Sequence, residues 1–264
     1  MSLKGPVFSI VMPCYNGERY ISEAIASVIG QHFTSWELII VNDGSTDRSS
    51  DIITAFAATD DRIVFVNSGR LGSASAARNL AFTRISGRYV TFLDCDDVWF
   101  PEKLTAQFEV FSDPTVAFCC SSYRIFNVRS GFSAHQFVSG FFGVKDYLSK
   151  RVVIGCLTVA FDAQYVLAHG NKFDVGLLRA EDVLLWVQVL RLVELEGRRA
   201  FAIDVPLACY RVHFGGKSHN KIIHALAHWN IYRHRLGIGF FPAIYFYICY
   251  LLQAVGSRFH RFFN

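Results

Sequence analysis

A chain of 264 residues with 52% hydrophobic and 15% aromatic side chains has ample material for one large domain, or for one domain with an extension. Its seven Cys form neither a CxxC pair nor a zinc-like cluster, and no internal repeat or low-complexity linker interrupts it. The formal net charge of +4 hides an asymmetry: no Asp or Glu follows Asp204, whereas Arg211, Lys217, Lys221, Arg233, Arg235, Arg258 and Arg261 do. The tail thus carries +7 and the first 204 residues carry −3. A basic, aromatic tail on an acidic body points to an anionic partner, a membrane surface or a phosphorylated substrate, rather than to nucleic acid.

In chain order, residues 7–12 form a short apolar run closed by Pro13, which predicts a strand ending in a loop. Apolar residues at helical spacing predict a helix over 18–29, stopped by Gly30. Residues 38–41 read as a second strand closed by Asn42, Asp43, Gly44 and Ser45, and Ser45 or Thr46 can cap a helix over 47–58. A strand over 63–66, a loop over 69–73, a helix over 74–85 and a strand over 89–93 follow. Alternating helices and continuously apolar strands predict a mainly parallel sheet covered on both faces. Ligands of such sheets bind beyond the carboxyl ends of the strands. Polar clusters stand at three of those ends: 13–16, 42–47 and 94–97.

The second half is less regular. It predicts a helix over 101–111 with Pro in its first turn, a strand over 116–121 and a short helix over 145–150. A strand over 158–161, a helical turn over 164–169, an amphipathic helix over 181–195 and a strand over 201–205 complete it. Residues 237–257 carry no Lys, Arg, Asp or Glu, and basic residues flank them. Their length could span a bilayer, but Pro242, Gln253 and the many amphipathic rings favour a helix lying in the interface, over a span or a core helix.

Asp94, Cys95, Asp96 and Asp97 are the densest chemical feature. Closely packed carboxylates repel, and a hard divalent cation relieves them; a solvated Asp-rich turn is the alternative. At the first strand's end, Tyr15 offers a ring for stacking and Asn16 a turn-shaping amide. Asp43 could accept a hydrogen bond from a uracil imide or simply serve the turn. Glu181 and Asp182 begin a helix, where the macrodipole favours acids, and lie about 100° apart around it. Trp186 falls one turn beyond Asp182 on the same face.

The ordered segments Ser9-Ile-Val-Met-Pro-Cys-Tyr-Asn16, Glu37-Leu-Ile-Ile-Val-Asn-Asp-Gly-Ser-Thr-Asp47, Ala77-Arg-Asn79, Asp94-Cys-Asp-Asp97 and Arg179-Ala-Glu-Asp182 with Trp186 resemble family 2 glycosyltransferases over about residues 7–215. The resemblance implies an inverting GT-A enzyme that moves a sugar from a nucleotide, expected to be UDP. Residues 1–215 would form the transferase domain, with 1–115 binding the nucleotide-sugar and 116–215 the acceptor. Residues 216–264 would form a helical, membrane-associating extension. It implies Pro13, Tyr15, Asn16, Asp43, Arg78 and Asp94 at the donor, with Asp43 reading the base. Asp96, with His213, would hold Mn2+ or Mg2+, and Asp97 would be structural. Asp182 would be the catalytic base, and Glu181 and Trp186 would face the acceptor. Arg78 would neutralise diphosphate or hold Asp94.

By analogy with family members of this size, the acceptor is a polyprenyl-diphosphate-linked saccharide of surface polysaccharide or O-antigen assembly. The expected location is the inner face of the cytoplasmic membrane, reached through residues 233–264. Apolar surroundings of most Cys and the lack of an apolar leader before the first strand fit that location. Three alternatives compete. The run from Val90 to Val98 also fits a haloacid-dehalogenase phosphatase, with Asp94 as nucleophile and Asp96 as acid/base, but three strands precede it here. A Rossmann dehydrogenase lacks its GxGxxG after the first strand. A non-catalytic, membrane-bound sugar-binding module would not need the intact acids.

Overall fold

The computed structural model describes residues 5–131, 133–177, 179–213 and 221–262. The first half alternates as expected: β1 (Phe8–Cys14), α1 (Ile21–Ile29), β2 (Trp36–Asn42), α2 (Ser49–Ala57), β3 (Ile63–Asn67), α3 (Ala74–Phe82) and β4 (Tyr89–Phe92). These four strands are parallel, in the order β3-β2-β1-β4. The chain steps outward from β1 to β3 and then returns to the other side of β1. The β1/β4 crevice is therefore a topological switch point, where a sheet of this kind opens a ligand site at its carboxyl edge.

Both faces of this sheet are covered, which is why its strands read as unbroken apolar runs. Val11, Ile39 and Val41 pack into one core, and Ile10, Met12, Leu38 and Ile40 into another on the opposite face, as the strand period of two requires. Pro13 lies past the last β1–β4 pair, Val11 with Phe92, so its missing N–H breaks no ladder bond on that side.

The second half departs from the expectation of a mainly parallel sheet. After β5 (Val98–Trp99) and α4 (Lys103–Val110), β6 (Val116–Asn127) runs well beyond the predicted strand. β7 (Ser133–Gln136), β8 (Gly140–Phe142) and α5 (Val144–Leu148) follow, then a 3-10 turn, Cys156–Thr158. β9 (Ala160–Asp162) is antiparallel to both β4 and β6 and sits between them, so the sheet is mixed. After α6 (Gln164–Leu167) and α7 (Glu181–Leu195), β10 (Arg199–Val212) pairs with β6 through register shifts around Pro206 and grips β5 in antiparallel fashion. α4 is pinned to β4 by Lys103, a buried ammonium. It donates to Thr91 Oγ1 at 3.1 Å and Gln107 Oε1 at 2.7 Å, and burial pulls its pKa down to about 7.

The tail forms α8 (Lys221–Asn230), a π-helical turn at Ile231–Arg235 and α9 (Phe240–Phe262). It packs on the domain: Ile231, Tyr232, Leu236 and Ala243 are buried in the same core as α7. Among the described residues no helix is long and apolar enough to cross a membrane, which corrects the spanning alternative. One face of α9 stays bare, with Phe241, Tyr245, Ile248 and Leu252 exposed at spacings of four, three and four. Arg233 donates to the Ile238 carbonyl and Arg235 pairs with Asp174, so both are engaged within the fold. Lys217 and the side chains of Arg258 and Arg261, on which the basic tail also rests, lie outside the described residues.

Candidate active site

Six segments from distant parts of the chain converge at the carboxyl edge of β1, β2 and β4. At the end of β1, Asn16 takes a left-handed turn (φ 51°), and its Oδ1 accepts from the Thr46 amide at 2.8 Å. This ties the first two polar strand ends together. Asp47 lies ahead of α2, accepting from the Ser49 amide at 3.0 Å and from the Glu18 amide at 3.0 Å; the N-cap residue of the helix, Arg48, makes no side-chain cap, so the expected Ser45 or Thr46 cap is not formed.

Asp43 is only 3% exposed. Its carboxylate accepts from the Leu71 amide, from the Gly72 amide at 3.0 Å and from Arg70 Nη1 at 2.8 Å. The Arg70 guanidinium lies 3.8 Å from the Tyr15 ring centroid, and that ring is 46% exposed. Tyr15, Arg70 and Asp43 thus build one wall from flat, stacking surfaces and a charged hydrogen-bond centre, the chemistry that a nucleobase needs. Arg70 was not anticipated. Its only sequence signal is a basic residue inside the Gly69-to-Ser73 loop.

Ser73 caps α3, accepting from the Ala76 amide at 3.1 Å, and the helix delivers Arg78 to the crevice. Arg78 is 4% exposed and bridges two acids: Asp94 Oδ1 at 2.6 Å and Glu181 Oε1 at 3.6 Å. Burial works against its charge, but Asp94 and Glu181 outweigh that and hold the guanidinium firmly protonated. Asn79 exchanges two hydrogen bonds with the Phe173 backbone, at 2.8 and 2.9 Å, and so ties the segment leading to α7 onto α3. The Ala77-Arg78-Asn79 motif therefore links the two halves of the site.

The three acids after β4 have three different surroundings. Asp94 faces Arg78. Asp96 Oδ2 meets His213 Nε2 at 2.7 Å, brought from the far end of β10. Asp97 is buried and accepts from the Arg211 amide at 2.8 Å, the structural role expected of it. Burial pushes Asp96 up, as does Asp94 beside it, and His213 opposes both. Burial pushes Asp97 higher still, helped by Asp96 and Asp94. Arg211 Nε donates to the Asp96 carbonyl at 2.9 Å and its Nη2 pairs with Glu23 at 2.7 Å, so it fastens the turn from two sides. Arg211 was not anticipated as a site residue either, because the long-range pairing of β10 with β5 and β6 brings it here.

Among the described residues no three His, Cys, Asp or Glu side chains gather to enclose a metal ion. Asp96 and His213, in contact with each other, are the residues whose hard carboxylate oxygen and imidazole nitrogen would suit a divalent ion.

Asp182 stands at the start of α7, behind Ala180, which is left-handed (φ 58°). Burial raises its pKa to about 6, and Glu181 adds to the rise, while Arg78 and Lys150 oppose it. A carboxylate poised there takes a proton near neutral pH. Glu181 faces Arg78, with Oε1 3.6 Å from its Nη1.

Trp186 is the clear correction. It is 0% exposed, packed among the rings of Phe92 at 5.3 Å, Phe161 at 5.8 Å and Phe173 at 6.0 Å, so it cannot line an acceptor site. It does share a helix face with Asp182, but four residues carry that face about 6 Å along the axis, from the open helix end into the core.

The chain matches the profile described as "Glycosyl transferase family 2" over residues 9–164. It is 32% identical to TuaG of Bacillus subtilis, which is named for teichuronic acid biosynthesis, over 254 residues, 96% of this chain and 98% of that one. It is also 32% identical to the UDP-Glc:alpha-D-GlcNAc-diphosphoundecaprenol beta-1,3-glucosyltransferase WfgD of Escherichia coli, covering 84% of each. Among solved structures it resembles S. aureus TarS 1-349 in complex with UDP-GlcNAc, with a TM-score of 0.68 at 18% identity, over 85% of this chain and 66% of that one. It resembles the mannosyltransferase PcManGT of Pyrobaculum calidifontis, in complex with GDP-Man and Mn2+, with a TM-score of 0.64 over 90% of this chain and 66% of that one.

Proposed function

This chain belongs to glycosyl transferase family 2, and from that premise we propose that it moves one sugar, with inversion, from a UDP-linked donor to a hydroxyl of a saccharide carried on polyprenyl diphosphate. The observation that carries the reading is the convergence on one crevice of a base-reading wall (Tyr15, Arg70, Asp43), a diphosphate-facing group (Arg78, Asp94, Asp96, His213) and a carboxylate with a raised pKa, Asp182. The phosphatase alternative finds no support. Asp94, its would-be nucleophile, is already paired with Arg78, and the chain's family is a transferase family.

In this reading residues 1–115 bind the donor, with Pro13 and Asn16 shaping its loop, and residues 116–215 present the acceptor. Arg78, fixed between Asp94 and Glu181, faces the diphosphate. Asp182 takes the proton of the acceptor hydroxyl as its oxygen bonds to the anomeric carbon. The bond to the diphosphate breaks and its electron pair leaves with the nucleotide. Asp96 and His213 would hold a divalent ion, Mn2+ or Mg2+, whose charge would offset that of the departing diphosphate. Relatives named for teichuronic acid biosynthesis and for a diphosphoundecaprenol acceptor support the acceptor class and a place in polysaccharide or O-antigen assembly.

Thermal unfolding with UDP and Mn2+ tests the donor half. At about 100 times the dissociation constant, bound nucleotide adds about 2.7 kcal/mol, a clear rise in Tm. No shift with any nucleoside diphosphate would sink the proposal.

We further propose that residues 233–264 rest on the inner face of the cytoplasmic membrane through the bare stripe of α9. Phe241, 82% exposed, and Leu252 are its outermost members. Deleting the tail from residue 236 onward is a poor test, because Ala243 and its neighbours belong to the core. The double substitution Phe241→Ser/Leu252→Ser leaves the inner face intact. It lowers partition onto phosphatidylglycerol-containing vesicles at least about tenfold, as the loss of two inserted side chains implies. Unchanged vesicle binding would remove the stripe from the proposal.

A further inference from the structure

Three non-glycine residues among those described adopt a left-handed backbone: Asn16, Lys150 and Ala180. Asn16 shapes the donor loop, and Ala180 precedes Glu181 and Asp182. Two of the three residues border the crevice. The third, Lys150, closes α5: its amide donates to the Tyr147 carbonyl at 3.1 Å and the Arg151 amide to the Asp146 carbonyl at 3.0 Å, so its left-handed turn is that of a helix C-terminus.

The surroundings of Lys150 are unusual for a cation. Its Nζ lies 5.2 Å from the Tyr147 ring centroid and 5.7 Å from that of Tyr250, so aromatic faces from α5 and α9 flank it. Among the described residues no carboxylate lies within ion-pair distance of it; in the same turn Asp146 pairs with Arg151 instead, at 3.4 Å. Four titratable groups face it, each from a different element. They are Tyr147 on α5, Asp182 on α7, His228 on α8 and Tyr250 on α9. His228 stacks on Tyr250 at 3.9 Å and meets the Tyr232 hydroxyl at 3.3 Å. Burial, with Lys150 adding to it, keeps that imidazole well below its ordinary pKa and hence neutral. The nook therefore holds one ammonium, neutral rings, and a single carboxylate at longer range.

A partly buried cation lacking a close counter-ion is unsatisfied, and burial draws the Lys150 pKa down to about 8 with only Asp182 opposing. An incoming anion restores the balance. The position of the nook selects which anion. Arg78, Asp94 and Glu181 occupy the donor side of Asp182, whereas Lys150 stands among α5, α8 and α9, the last of which carries the bare apolar stripe. We infer that Lys150 is the recognition point for a phosphate group of the acceptor, bound by its ammonium, with the Tyr147 and Tyr250 rings as neutral walls. The inference rests on the transferase reading above and adds an acceptor-phosphate subsite to it.

The test measures binding to the full chain in the presence of UDP and Mn2+, by intrinsic tryptophan fluorescence. Three probes are compared: decyl-diphosphate-linked N-acetylglucosamine, the neutral decyl glycoside of the same sugar, and inorganic diphosphate. The parent protein binds the diphosphate-linked probe at least tenfold more tightly than the neutral glycoside. Lys150→Gln loses that preference with the neutral glycoside changed less than twofold, and Lys150→Arg keeps most of it. Inorganic diphosphate competing as well as the linked probe would show a site for free phosphate and overturn the acceptor assignment. An equal preference in the parent and in Lys150→Gln, or none in the parent, would overturn it too. The UDP-induced Tm shift separates the two levels. A normal shift with no preference removes the subsite alone, whereas loss of the shift in the parent protein removes the transferase reading beneath it.

Discussion

Replacing Asp182 with asparagine is expected to lower kcat by about 10³, within the 10²–10⁴ range that a general base contributes, equivalent to about 4 kcal/mol of barrier. The substitution is nearly isosteric and keeps an oxygen to accept from the Val183 amide, which donates to Asp182 Oδ1 at 2.9 Å, so the start of α7 should hold. The UDP-induced Tm shift is expected to survive unchanged, because the Tyr15, Arg70 and Asp43 wall is built from other strands. The pH profile supplies a second readout. Only the ionised carboxylate accepts a proton, and burial followed by Glu181 raises its pKa to about 6. In the parent protein kcat/KM should therefore be level above about pH 7 and fall tenfold per unit well below pH 6. The residual activity of Asp182→Asn should lack that inflection. Loss of UDP binding would mean that Asp182 is structural, and an unaltered acid limb would mean that another group is the base.

The second large effect is expected at Asp96. Asp96→Asn keeps an acceptor for His213, so the contact between the β4 turn and the end of β10 is retained while one negative charge is lost. A unit charge about 4 Å from another is worth about 4 kcal/mol at an effective dielectric near 20, and partial solvation reduces this. A loss of about 10² in kcat/KM follows. The more telling measurement is nucleotide binding with and without Mn2+. The parent should show a larger UDP-induced Tm shift when Mn2+ is added, and Asp96→Asn should show only the metal-free shift. A full Mn2+-dependent increment in the variant would place the ion elsewhere.

Both predictions concern residues visible in the bare sequence, and the reason is chemical. Acids clustered after an apolar strand, or opening an amphipathic helix, are costly unless they have work to do, so Asp94, Asp96 and Asp182 stand out without coordinates. Arg70 and Arg211 do not stand out. A single basic residue in a loop or late in a strand has no local signature, and its partners, Asp43 and the Asp96 carbonyl, are 27 and 115 positions away. Trp186 shows the opposite error. Helical spacing placed it correctly beside Asp182, yet periodicity fixes a side chain's direction around the axis and says nothing of where the helix dips beneath a sheet.

The same division runs through the fold. Strands β1 to β4 are each covered on both faces, so a continuous apolar run identifies them and their alternation with helices dictates a parallel arrangement. β5, β7 and β8 span two to four residues and carry too little pattern to be read. The antiparallel placement of β9 between β4 and β6 depends on long-range pairing that no local propensity encodes. By itself the amino-acid sequence determined the four-strand frame, its family and the acids of the crevice, because burial and charge repulsion leave local marks. Only the tertiary structure decided which cations those acids meet, that Trp186 belongs to the core, that α9 packs by one face and bares the other, and that Lys150 stands near Asp182. Those outcomes are contacts between segments up to about a hundred residues apart, and no residue carries the address of such a partner in its neighbours.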